Sequence, residues 1–109
     1  MDRDEEISVK AGDKAILQCK ARGDLPIEIQ WAHKHIKITS HSSSRYTIRH
    51  QNLEAGILSE LLISDASRSD GGVYNCRAAN SFGSDQTLVM LKVQGMSIDI
   101  LSSVVYTLT

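Results

Sequence analysis

Cys19 and Cys76 stand 57 positions apart, with Trp31 between them and Asp70-Gly71-Gly72-Val73-Tyr74-Asn75-Cys76 leading into the second. A cross-link between strands of two facing sheets needs cysteines far apart in sequence. An indole packed on the sulfur pair fills the middle of a small core. A tyrosine two residues before the second cysteine can return its hydroxyl to the upstream turn. Each element is weak alone. Together they point to an all-β sandwich of two antiparallel sheets with one inter-sheet disulfide, Cys19–Cys76, and a core around Trp31, Leu61 and Tyr74.

Alternation of apolar and polar residues supports this along most of the chain. Ile7 and Val9 alternate before an Ala11-Gly12-Asp13 turn, and Ala15, Leu17, Cys19 and Ala21 share one strand face. Gly23-Asp24-Leu25-Pro26 ends that strand. Ile29 and Trp31 point inward on the next, and Ile36 and Ile38 suit a short edge strand. Tyr46 and Ile48 begin another strand, Gln51 to Gly56 is expected to turn the chain, and Leu61 and Ile63 alternate again. One helical turn is expected within Ser64 to Asp70. Tyr74, Cys76 and Ala78 face in, Asn80-Ser81-Phe82-Gly83 suits a tight hairpin, and Val89, Leu91 and Val93 close the last strand.

The chain of 109 residues is the length of one domain. Its 12 basic and 13 acidic residues nearly cancel, and no run of one sign is long enough to mark a nucleic-acid stripe. The paired cysteines imply an oxidising compartment; the alternative is two reduced core cysteines in an intracellular sandwich. Met1 is followed by charge rather than an apolar stretch, so the chain reads as a piece of a longer exported protein. Residues 1–94 form the expected domain. Residues 95–109 read as a separate β-prone tail: the start of another module, a linker, or an added segment. Its uncharged Val104-Val105-Tyr106-Thr107-Leu108 is expected to pair with a sheet edge, its own or a second copy's.

Residues 5 to 94 resemble an immunoglobulin I-set domain, through Val9, Gly12, Leu17, Cys19, Trp31, Leu61, Ile63, Asp70, Gly72, Tyr74, Cys76, Ala78, Asn80, Gly83, Leu91 and Val93. The phrases Gly23-Asp24-Leu25-Pro26-Ile27-Glu28-Ile29-Gln30-Trp31 and Ser59-Glu60-Leu61-Leu62-Ile63 are similar to segments in ectodomains of the Down syndrome cell adhesion molecule family. That resemblance implies a neuronal, membrane-anchored cell-surface parent with tandem immunoglobulin and fibronectin type III domains. It implies homophilic adhesion and self-recognition as the function, and an ion pair between Arg45 and Asp70 that staples one end of the sandwich.

Residues that invite a chemical reading have plainer explanations. His33 and His35 are two apart, a spacing that puts both on one face of a strand, but no free cysteine or spaced carboxylate completes a metal set. The serines and histidines include no nucleophile elbow. No catalysis, metal, cofactor, small-molecule substrate or nucleic acid is expected. Arg22-Gly23-Asp24 is a possible integrin motif, in which the aspartate caps a bound metal and the arginine reaches an acidic groove. The expected function is therefore extracellular protein–protein contact, or spacing within a tandem array. The contact face is expected to be the sheet carrying Trp31, Cys76 and Leu91, with Gln30, Ala32, Asn75, Arg77, Met90 and Lys92 outward. The alternatives are an intracellular structural domain of muscle type and an integrin ligand.

Overall fold

The computed structural model describes residues 5–95. Among the described residues eight strands run in order: β1 (Glu5–Lys10), β2 (Ala15–Arg22), β3 (Glu28–His33), β4 (Ile36–Ile38), β5 (Tyr46–Leu53), β6 (Gly56–Ile63), β7 (Gly72–Asn80) and β8 (Gly83–Gln94). A single 3-10 turn, Arg68–Asp70, precedes β7. The strands form two sheets, a five-stranded one in the order β1-β8-β7-β3-β4 and a three-stranded one in the order β2-β6-β5. The expected tail strand at 104–108 lies outside the described residues.

The period-2 pattern of β2, β6 and β7 places alternate side chains between the sheets. Trp31, Tyr74, Leu17, Leu61, Ile63 and Leu91 are fully enclosed there. Cys19 and Cys76 join across the gap with Cα atoms 6.4 Å apart. Trp31 lies opposite Cys76 in the β3–β7 ladder, so the indole belongs to the same layer as the sulfur pair. Its Nε1–H donates to the buried Ser59 hydroxyl at 2.9 Å, which satisfies a donor that water cannot reach.

Three details depart from the sequence expectation. First, one pairing is not antiparallel: β1 runs parallel to β8, from Glu5 opposite Val89 to Lys10 opposite Gln94. The chain turns at Ala11–Lys14 straight into the other sheet, so β1 pairs with β8 and not with β2. Second, the segment expected to turn at Gln51 to Gly56 stays in the ladder. Gln51 pairs with Leu58 and Leu53 with Gly56, leaving only Glu54 and Ala55 as the turn. The polar run resembles a turn because β5 is an edge strand with most side chains in solvent. Gly56 is required there, since a Cβ would stand 2.2 Å from the Ala21 carbonyl oxygen. Third, His33 and His35 do not share a strand face. β3 ends at His33, and Lys34 and His35 make a tight turn with φ of 54° and 65°.

Candidate interaction surfaces

The sandwich has two poles and two outer faces. At the pole where β5 and β7 begin, Arg45 precedes β5 and reaches Asp70 in the 3-10 turn. Its Nη1 donates to Asp70 Oδ2 at 2.9 Å and its Nη2 to Oδ1 at 3.0 Å, a two-pronged contact matched to the carboxylate. The same Nη1 donates to the Ser64 and Asp65 carbonyls, both at 3.1 Å. Asp70 is buried and also accepts from the Ser67 backbone N–H at 2.8 Å. Burial alone would raise the Asp70 carboxyl, but the bonds from Arg45 and Ser67 outweigh it and hold the group below its ordinary value. The hydrogen bond to Asp70 likewise raises Arg45.

Tyr74 extends this network inward. Its hydroxyl donates to the Asp70 carbonyl at 2.6 Å, and burial pushes its ionisation up, so the phenol stays neutral. The His33 ring stacks on Tyr74, with centroids 3.9 Å apart and planes within 5°. Its Nε2–H donates to the Gly71 carbonyl at 3.1 Å. Desolvation lowers the His33 pKa, only partly opposed by that bond. Arg45, Asp70, Tyr74 and His33 are thus one structural network without an open coordination site. Among the described residues no group of three or more His, Cys, Asp and Glu is placed to hold a metal ion.

At the opposite pole, the loop after β2 lies beside the β7–β8 turn. Arg22 is the exposed last residue of β2, and Gly23 and Asp24 follow it into solvent. Leu25 and Phe82 are also exposed, Phe82 to 80%. The outer face of the five-stranded sheet is a third surface. Gln30, Arg77, Met90 and Lys92 are exposed there, with Ala32 and Asn75 half-buried. The register adds two residues to the face: Val73 opposite Met90, and Leu88 opposite Asn75. Val73, Leu88 and Met90 form one apolar cluster. Around it, Asn75 donates to Gln86, Arg77 to Ser84, and Lys92 pairs with Glu6 at 2.6 Å.

Several structural partners are not evident from the sequence reading above. Ser59 shares the strand parity of Leu61, and a buried tryptophan N–H usually finds an acceptor, so that pairing has a signal in the sequence. Ser67, three residues before Asp70, had the pattern of a helix-start residue. His33 and Asn80, whose side-chain amide donates to the Asp24 carbonyl at 3.1 Å, carried no local signal.

The Immunoglobulin I-set domain family matches residues 2–93. The chain belongs to the immunoglobulin I-set family. It is 38% identical over 87 residues to Cell adhesion molecule Dscam1 of Drosophila melanogaster, covering 80% of this chain and 4% of that protein. It is 42% identical over 86 residues to Kin of IRRE-like protein 3 of Mus musculus, covering 77% of this chain and 11% of that protein. This I-set domain thus spans only a small part of the relatives it matches. Among solved structures, the Titin M10–Obscurin like 1 Ig complex contains a chain that superposes with TM-score 0.70 at 25% identity, covering 84% of this chain and 87% of that one. These two relatives are more similar in sequence than the solved chain, which shares the fold.

Proposed function

We propose that this I-set domain is an extracellular module of a membrane-anchored adhesion receptor, that it makes and breaks no covalent bond, and that it contacts a second copy through the outer face of its five-stranded sheet. The observation that carries this reading is the cluster of Val73, Leu88 and Met90 on one sheet face, ringed by polar groups that mostly bond to one another. Apolar centres with polar rims are the common anatomy of protein–protein contacts. The sequence similarity to Cell adhesion molecule Dscam1 supports the same class, and homophilic recognition in neuronal wiring is its finer form. The disulfide supports an oxidising compartment.

Sedimentation of a chain ending at Gln94 tests the contact. The mass should rise with concentration and Met90→Glu should hold the protein as a monomer. A monomer at millimolar concentration, with no change on Met90→Glu, would remove the homophilic reading. The compartment is tested separately by alkylating the protein as it leaves the cell. Protected Cys19 and Cys76 fit the extracellular reading; free thiols would favour the muscle-type alternative.

A further inference from the structure

The exposed tripeptide Arg22-Gly23-Asp24 takes no part in the core, the polar network or the sheet face. All three residues are exposed, Arg22 as the last residue of β2 and Gly23 and Asp24 in the loop that leaves it. Among the described residues neither the Arg22 guanidinium nor the Asp24 carboxylate has a side-chain partner, whereas Arg45 with Asp70, Arg49 with Glu60 and Lys92 with Glu6 neutralise one another. The backbone between the two charges is nevertheless held. Gly23 N–H donates to the Ala55 carbonyl at 3.1 Å, and the Asn80 amide braces the Asp24 carbonyl from the neighbouring turn. Gly23 has φ 146°, a conformation that residues with a Cβ rarely adopt, so the path from Arg22 to Asp24 depends on glycine.

We propose that Arg22-Gly23-Asp24 is a binding site for an integrin-type receptor, one that holds a divalent cation with an open coordination position beside an acidic pocket. An Asp24 carboxylate oxygen completes the shell of the cation, which prefers oxygen ligands. The Arg22 guanidinium forms a forked ion pair with the receptor's carboxylates. The braced backbone reduces the ordering cost of binding, and the exposed Phe82 beside it offers apolar contact area. This site sits on a pole, away from the sheet face, so it stands apart from the homophilic contact.

The test uses the immobilised chain and purified ectodomains of integrins that bind Arg-Gly-Asp peptides, in manganese buffer. Saturable binding is expected, lost in EDTA and displaced by a linear Gly-Arg-Gly-Asp-Ser peptide. Asp24→Glu moves the carboxylate by one methylene and should weaken binding on the order of 30-fold or more, the range for breaking a desolvated charge contact. Lys20→Ala on the same strand should bind like the parent chain, and both variants should melt as it does. Binding that survives EDTA or Asp24→Glu overturns the proposal. So does the absence of binding by the parent chain to every ectodomain that captures the peptide.

Discussion

At the pole where β5 and β7 begin, Arg45, Asp70 and Tyr74 bond to one another and to nearby backbone, and His33 stacks on Tyr74. At the opposite pole Arg22, Asp24, Leu25 and Phe82 face solvent. The first arrangement encloses polar groups, which is tolerable only because each has a partner. Among the described residues no buried side-chain nitrogen or oxygen lacks one. The second leaves charges and an aromatic ring to water and spends its few bonds on the backbone. A polar network in a partly dry setting resists change, while an exposed loop tolerates it and is free to meet a partner. Residues that hold this I-set domain together thus gather at one pole, and solvent-exposed residues at the other.

The core sets the scale against which both poles are measured. Trp31→Ala should cost about 3 to 5 kcal/mol, because it leaves a void beside the disulfide and strands the Ser59 hydroxyl. A chemical melt reads this directly, and a loss under about 1 kcal/mol would place Trp31 outside the core. At the networked pole, Arg45→Ala should cost about 3 kcal/mol, since it leaves the buried Asp70 carboxylate unpaired. Arg45→Ala and Asp70→Ala should be strongly non-additive in a double-mutant cycle; additive costs would dissolve the network. The folded-state pKa of Asp70 is lowered, so the stability it contributes is present above the unfolded value and lost as pH falls through the folded one.

His33 follows the same sign at a higher pH. Its pKa is also lowered on folding, so protons bind the unfolded chain better, and stability should decline as pH falls from about 6.5, the free imidazole value. Denaturant melts at stepped pH should show this decline flattened in His33→Phe, which keeps a ring on Tyr74. An unchanged decline would assign it to other groups. The smallest effect belongs to the exposed pole. Phe82→Ser should change stability by less than about 0.5 kcal/mol, and a larger loss would show that this pole is packed after all.

The two poles were also unequally legible in the sequence. Cys19, Trp31, Tyr74 and Cys76 could be placed because strand alternation assigns each to the inner face, and their spacing suits two facing sheets. Arg45 opposite Asp70 came from family resemblance, because nothing local links residues on separate strands. The Gln51 to Leu53 segment reads as a turn but is strand for a physical reason: an edge strand with side chains in solvent loses the alternation that marks a strand. His35 was misplaced because the left-handed turn with Lys34 breaks the strand geometry that equal spacing assumes. Asn80 bracing the Asp24 carbonyl joins residues distant in sequence through a side-chain amide, a contact that only the folded chain brings together.

Trp31 is the single tryptophan of the chain, and the fold sets it in the same layer as the Cys19–Cys76 sulfurs. A disulfide accepts an electron from an excited indole, so a neighbouring sulfur pair extinguishes emission. Emission of the native domain should therefore be dim under ultraviolet excitation and should brighten when the strands separate or the bridge is reduced. A rise in that emission would then report the loss of the packing that closes the core, without any attached label.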